Sequence, residues 1–521
     1  MIGGPPSSRR TPRLRSVALA GLLLAGLAGC TSGDGGSTGS TSATGSRSST
    51  GSTDAGTEPA APEAIPLEVF VYNVEYGGDE STDAVIRGVD ADIVGVLESY
   101  NRLPEIAANT GYPYYNVSLQ LLSKYPIHEP SGAEGRYALI EVRPGQVVAF
   151  FNIHLDYVKY GPKLLDNGAS VDEVLASEDE VRTSVLDEPL RLMGDLIGQG
   201  YPVFFTGDHN EPSSLDWTEA TAAARPDVDE AIAWPVSEAI LGLGFRDTYR
   251  DIHPNPVEAP GITHEGAGDR IDYLYAAGPS ATLDSRLVGE KGDSGVELGF
   301  DPWSSDHRAV VSTFNVTPVP MPIMVSVDRA LLTQGDPLTV AYRAPESDGT
   351  VTIVPSEADA GSAVATEDVS GSSGAFDVET AGLDPGGYEA VLSAGDGGEL
   401  ARVAFWVRDP NAEIEVSTDR PTYGVGEPIV VSWTDGPANR WDWIGVYEAG
   451  KADPKVDYYL IWNYVGLHAA GTVPPSVAGS MTLDETAMGN PWPLPPGRYV
   501  VHYLVTDRYR SIGSATFEVG G

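Results

Sequence analysis

Asp208 and Asn210 stand two residues apart at the end of an apolar, aromatic-rich run, Val203-Phe204-Phe205-Thr206-Gly207. The run reads as a buried strand, and on an extended chain residues two apart share a face. A carboxylate and an amide leaving a sheet edge together can activate a water and steady a developing oxyanion. The same pair also suits an ordinary Asx turn after a strand, so its meaning depends on what other strand ends bring. Leu67-Glu68-Val69-Phe70-Val71-Tyr72 runs into Asn73, and Ala91 to Leu97 runs into Glu98. Val147 to Asn152 leads to His154, Asp272 opens Tyr273-Leu274-Tyr275, and Asp306-His307 precedes the run Arg308 to Phe314. Each of these is unexceptional alone: a single Asp is usually a cap and a single His a packing residue. Many strand ends meeting at one cleft is how a sheet builds a site.

The order of these segments resembles the endonuclease/exonuclease/phosphatase superfamily of metal-dependent phosphoesterases over residues 67 to 316. The resemblance rests on Tyr72-Asn73-Val74, the Glu98 strand, Leu122-Ser123-Lys124-Tyr125-Pro126-Ile127, Asn152-Ile153-His154-Leu155, Gly207-Asp208-His209-Asn210, Arg270-Ile271-Asp272-Tyr273 and Ser305-Asp306-His307. It departs at His209, where the family has a bulky apolar or aromatic residue; an extended chain turns His209 away from Asp208 and Asn210, to pack behind them. The resemblance implies an α+β fold, with a four-layer α/β/β/α sandwich as the catalytic domain. It implies Glu98 as principal ligand of Mg²⁺, with Mn²⁺ as the alternative, and Asn73 and Asp306 completing the metal region. Asp208 would orient or deprotonate the attacking water, and Asn210 would steady nucleophile and phosphoryl oxygens. His307, held by Asp272, would donate to the phosphate, and His154 would be a second phosphate-facing imidazole whose acidic partner the sequence does not identify. The implied reaction is in-line attack of water on a phosphoester, making the chain a metal-dependent phosphoric ester hydrolase.

Substrate contacts are less defined. Lys124 and Arg270 suit phosphate contacts, and equally suit pairing with surface carboxylates. Tyr157, in Asp156-Tyr157-Val158-Lys159-Tyr160, and Trp303 suit either a cleft wall or local packing. Between residues 67 and 316 there are 16 Lys and Arg against 42 Asp and Glu. A nucleic-acid enzyme usually carries a basic track, so this balance favours a small phosphomonoester or phosphodiester, or a lipid headgroup. An extracellular nuclease and a sphingomyelinase-like phosphodiesterase stay as alternatives, with a non-catalytic surface binding protein third.

The whole chain has 521 residues and a formal charge of -42, which repels polyanions. That length calls for about three domains. Arg9, Arg10, Arg13 and Arg15 precede the apolar stretch Val17 to Leu27, and Leu27-Ala28-Gly29-Cys30 looks like a bacterial lipobox. The expectation is a lipoprotein signal peptide at 1–30 with Cys30 lipidated, by the general or the twin-arginine export route. Export would place the protein on the extracellular face of the cell membrane, touching the bilayer only through that anchor. Cys30 is the one cysteine in the sequence, so no intrachain disulfide forms. Residues 31–64, rich in Ser, Thr and Gly, read as a flexible linker, and the catalytic domain as 65–316.

The C-terminal part repeats. Val325-Ser326-Val327-Asp328-Arg329 recurs as Val416-Ser417-Thr418-Asp419-Arg420, and Leu383-Asp384-Pro385-Gly386-Gly387-Tyr388 as Leu494-Pro495-Pro496-Gly497-Arg498-Tyr499. Short strands with Gly/Pro turns predict two all-β immunoglobulin-like sandwiches, 317–410 and 411–521. Arg440-Trp441-Asp442-Trp443-Ile444-Gly445-Val446-Tyr447 is similar to a strand of SKICH-type sandwiches, some of which accompany inositol-polyphosphate phosphatases. Its tryptophans suit either a sandwich core or a module that targets cell wall, lipid or another surface ligand.

Overall fold

In the strand Ile65–Asn73 the side chains of Leu67, Val69 and Val71 share one face with Asn73, while Phe70 and Tyr72 point the other way. Both faces are buried, and that dictates a sheet covered on both sides. The computed structural model describes residues 63–520 except 101, 134, 346–348, 357–361, 370, 439–441, 466–476 and 506–508. The expected signal peptide at 1–30, Cys30, nearly all of the expected linker at 31–64, and Arg440 and Trp441 lie outside the described residues. Residues 60–521 fall into one compact unit. Among the described residues no helix is long and apolar enough to cross a membrane.

The first sheet has seven strands in the order Leu298–Phe300, Ser280–Glu290, Ala309–Val316, Ile65–Asn73, Ile93–Leu97, Leu121–Ser123 and Tyr114–Asn116. The second runs Ile127–His128, Ala138–Arg143, Gln146–His154, Val203–Asp208, Asp272–Ala277 and Arg246–Asp247, with Val319–Pro320 pairing on Gln146–His154. One apolar cluster joins their facing sides: Val69, Val71, Ile93 and Phe314 from the first meet Ile140, Phe150, Phe204 and Leu274 from the second. The outer side of the first sheet packs on the helices Glu80–Val89 and Leu103–Thr110 through Val85, Ile86 and Ile106. The outer side of the second packs on Asp187–Gly198 and Pro235–Gly242 through Met193, Leu196 and Ile240.

A polar bridge crosses the apolar seam. Asn152 Nδ2 of the second sheet donates to Leu119 O at 2.9 Å, and Thr206 Oγ1 donates to Asn152 Oδ1 at 2.8 Å. Gly95 makes room for it: a Cβ there would lie 2.4 Å from Thr206 Oγ1.

Residues 172–198 hold a helical pattern in sequence, with Val181, Val185, Leu190, Met193 and Leu196 roughly one turn apart. The structure realises it as Val171–Val181, a 3₁₀ turn Thr183–Leu186, and Asp187–Gly198. The break falls at Arg182, whose fully buried guanidinium donates to Glu178 at 2.5 Å and to Val158 O at 2.8 Å. Burying a charge demands such partners, and the Glu178 pair spans one helical turn.

Residues 324–408 form a three-stranded and a five-stranded sheet around one core, and residues 415–520 a three-stranded and a six-stranded pair around another. The two share a plan. Met324–Val327 pairs with Leu338–Arg343 as Glu415–Thr418 pairs with Ile429–Thr434. Tyr388 Oη donates to Asp384 O at 2.9 Å and Tyr499 Oη to Pro495 O at 2.6 Å, the same bond in both copies.

His209 packs on the outer face of the second sheet, its ring 5.1 Å from those of Phe205 and Tyr273. Burial holds its imidazole down at about 3, against an ordinary 6.5. The folded chain therefore keeps His209 neutral while the unfolded chain protonates it below 6.5. The stability it contributes is complete above pH 6.5 and is lost as pH falls toward 3, by about 1.4 kcal/mol per pH unit. Between pH 7 and pH 5, wild type should lose about 2 kcal/mol more than His209→Phe in urea unfolding; equal losses would contradict this assignment.

Candidate active site

The parity that puts Phe204 and Thr206 between the sheets puts Asp208 there as well, at the end of the seam. His154 lies directly across from Asp208 in the parallel pair, and Asp272 across from it in the antiparallel pair on the other side. In the first sheet Asn73 stands opposite Leu97, which places it at the end where Glu98 leaves the strand. The pattern brings Asn73, Glu98, His154, Asp208, Asn210, Asp272 and His307 to one edge of two stacked sheets.

Asp208 is the hub. Its Oδ2 accepts from Asn73 Nδ2 at 3.1 Å and lies 3.5 Å from His154 Nε2 and 3.7 Å from His307 Nε2. Its Oδ1 accepts from the Asn210 backbone N–H at 2.9 Å. Asn210 is left-handed, with φ +48°, and its amide reaches His154 Nε2 at 3.1 Å and Leu155 O at 3.0 Å. The partner of His154 that the sequence leaves open is thus Asp208 together with the Asn210 amide.

His307 Nδ1 meets Asp272 Oδ2 at 2.8 Å, and Thr263 Oγ1 accepts from the Asp272 backbone N–H at 3.0 Å. Burial alone would lower the His307 imidazole, but the carboxylates of Asp272, Asp208 and Asp306 outweigh it and push it up to about 10. His307 is therefore an imidazolium at neutral pH. Trp303 packs 5.1 Å from the Tyr72 ring and donates its N–H to His307 O, so it buttresses the loop from behind.

Around this pair the groups are mostly anionic. Asn73 Nδ2 also donates to Glu98 Oε1 at 3.1 Å, and Glu98 Oε2 accepts from the Tyr76 N–H at 3.0 Å. Glu98 is held at φ +54°, a left-handed conformation that side chains other than glycine and asparagine seldom adopt. Glu75 Oε2 accepts from the Asp306 N–H at 3.1 Å. Burial, and then the nearby Asp306 and Glu98 charges, raise the Glu75 carboxyl. A hydrogen bond from His264 lowers that of Asp306. Two groups of ligand atoms close enough to hold one cation lie here, His264–Asp306–His307 and Asp208–Asp272–His307. Glu98, His154, Asp208, Asn210, His264 and His307 all open onto one cavity of about 740 Å³.

Glu75 and His264 are the residues that the sequence reading misses. Glu75 carried a signal, since it lies two beyond Asn73. His264 carried none; it sits in a loop and reaches the site through bridges to Asp269 and His307.

Two expected phosphate contacts stand elsewhere. Lys124 pairs with Asp90 at 2.9 Å, at the end of the strand Ile93–Leu97 opposite to Glu98. Arg270 is buried, forked onto Asp247 and Asp216 at 2.6–3.0 Å, and stacked over Tyr273. Tyr157 lines the cavity and is 63% exposed.

Two outcomes follow from this geometry. Arg270→Met leaves the buried Asp247 without its cation, while Asp216 keeps Arg250 at 2.6 Å, so urea unfolding should show a loss of about 3–5 kcal/mol; a loss below about 1 kcal/mol would mean the fork contributes little. In metal-free Asp272→Asn, histidine NMR should show His307 titrating well below its wild-type value of about 10, back toward the ordinary histidine range. An unchanged titration would remove Asp272 as the cause.

Residues 71–307 match the model of the endonuclease/exonuclease/phosphatase family. An uncharacterized protein of Caenorhabditis elegans is 30% identical over 242 residues, which cover 40% of this chain and 75% of that protein. Among solved structures, an endonuclease/exonuclease/phosphatase from Beutenbergia cavernae is 18% identical, with a TM-score of 0.33, covering 66% of this chain and 99% of that one. An AP endonuclease from Archaeoglobus fulgidus is 17% identical, with a TM-score of 0.34, covering 48% of this chain and 100% of that one. Through residues 71–307, this chain belongs to the endonuclease/exonuclease/phosphatase family.

Proposed function

We propose that the protein is an exported, Mg²⁺-dependent phosphoesterase that hydrolyses phosphomonoesters or phosphodiesters by direct attack of water. The observation that carries this reading is the setting of Asp208: a buried carboxylate between two imidazoles and two amides, beside further carboxylates that face a cavity.

The donor set fits a hard divalent cation. Glu98, Asn73 and Asp306, with Glu75 beside Asp306, offer carboxylate and amide oxygens, and burial, then the Asp306 and Glu98 charges, raise the Glu75 carboxyl. Bound there, Mg²⁺ would polarise the phosphoryl group and stabilise the leaving oxygen. The remaining steps belong to the chain. Asp208 accepts the proton of the attacking water. The Asn210 amide orients that water and a phosphoryl oxygen. His307, charged and fixed by Asp272, donates to the phosphoryl oxygens as negative charge builds. His154, its Nε2 against Asp208 and the Asn210 amide, is the second imidazole facing the phosphate.

The rest of the reading concerns architecture and place. The two apolar clusters on the outer faces support a four-layer α/β/β/α domain, and the repeated tyrosine bond supports immunoglobulin-like C-terminal regions. The Arg-rich leader and Cys30 support lipid anchoring at the extracellular face.

The test is release of phosphate or alcohol from a panel, with Mg²⁺, Mn²⁺ or chelator: a phosphodiester chromogen, a phosphomonoester, sphingomyelin, an inositol phosphate and plasmid DNA. Asp208→Asn and His307→Ala should each lower kcat by about 10²–10⁴. Glu98→Gln should raise the Mg²⁺ needed for half-maximal rate by on the order of tenfold or more. Turnover that ignores chelator, or survives both substitutions, would refute the mechanism.

A further inference from the structure

The run Trp443-Ile444-Gly445-Val446-Tyr447 has no part in the chemistry above, yet it lies against it. In the strand Trp443–Glu448, Ile444 and Val446 enter the core of the last β-region, as Ile461 does from the neighbouring strand Ile461–Tyr464. Trp443 and Tyr447 take the opposite face, where they cluster with Tyr459, Trp462 and Tyr464. The tryptophan is therefore not a sandwich-core residue. The outer face of such a sheet is ordinarily polar, so an aromatic one needs a reason. Gly445, paired with Trp462, gives the rings room, because a Cβ there would lie 2.6 Å from the Trp443 ring. Trp443, Trp462, Tyr464 and Tyr509 line the same cavity as Glu98, Asp208 and His307.

Resting on the phosphoesterase reading for where the phosphate sits, we propose that this aromatic face is the specificity wall of the active site and receives the uncharged ring-bearing group of a small phosphoester. Three features of the cavity narrow the substrate. Its volume of about 740 Å³ suits a small molecule rather than a polymer. The described residues lining it include no lysine or arginine, so nothing among them balances a second phosphate. Flat rings and tyrosine hydroxyls together suit a group with a broad face and polar edges, such as a sugar or a nucleobase. A polynucleotide meets only the third of these, and an inositol polyphosphate fails the second.

Trp462 is the residue to change, with Trp462→Phe as the conservative control. Wild type, Trp462→Ala and Trp462→Phe are compared on methyl phosphate, glucose 6-phosphate, adenosine 5′-phosphate and plasmid DNA, with thermal melting to check folding. The expected result is that kcat/KM for one ring-bearing ester, relative to methyl phosphate, falls about tenfold or more in Trp462→Ala, mainly through KM. Phe should restore most of it. Which ester responds tells sugar from nucleobase. An unchanged ratio for both, or a preference for DNA, overturns the wall. A binding arm keeps the two readings apart: quenching of intrinsic fluorescence by phosphonate analogues of the two ring-bearing esters. If no ester turns over but an analogue binds and Trp462→Ala weakens it, the wall stands and the phosphoesterase reading fails. If neither analogue binds and no ester responds, the wall fails.

Discussion

One amide holds the two halves of the site together. Asn73 Nδ2 donates at once to Glu98 Oε1 in its own sheet and to Asp208 Oδ2 in the other. Carboxylates brought this close at a half-buried edge repel one another, and an amide with two N–H groups lets each keep a partner without adding charge. The Asn152–Thr206 bridge does similar work deeper in the seam, where it ties one sheet to the backbone of the other. Without such cross-links two twisted sheets packed by apolar contacts alone could slide, and the clustered polar groups from different sheets would lose their registry.

The charge pattern follows from that arrangement. Asp272 and Asp208 surround His307 so closely that it stays an imidazolium despite its burial. The lysine and arginine that look available for phosphate are occupied by carboxylates, Arg270 completely so. Positive charge at the site thus comes from a histidine and from whatever cation the carboxylates hold.

Strand ends were the legible part of the sequence. Apolar runs ending in Asn73, Glu98, His154 and Asp208 announce themselves by alternation, and parity alone puts Asn73 and Asp208 on inner faces. Long-range pairing is not local information. Nothing near His264 indicates that a loop bridge will set its ring 4.6 Å from that of His307. Nor does the segment around Arg270 show that its partners are Asp216 and Asp247, because a buried cation and a phosphate-binding one have the same composition around them. The tryptophan run was visible from the start, although which face of its sheet it would occupy was not.

The sheet pairing also governs when the site can come into being. Ile65–Asn73, the first strand of the first sheet in chain order, lies between Ile93–Leu97 and Ala309–Val316, the last strand of that sheet. A chain emerging from the ribosome cannot close this sheet until residue 316 has been made, and His307 arrives just before that. Until then the inner face of the first strand, Asn73 included, has no complete partner, and the nascent chain depends on late, distant contacts to reach its folded state. The cluster around Asp208 is accordingly a property of the finished pair of sheets, with no half-length intermediate able to hold it.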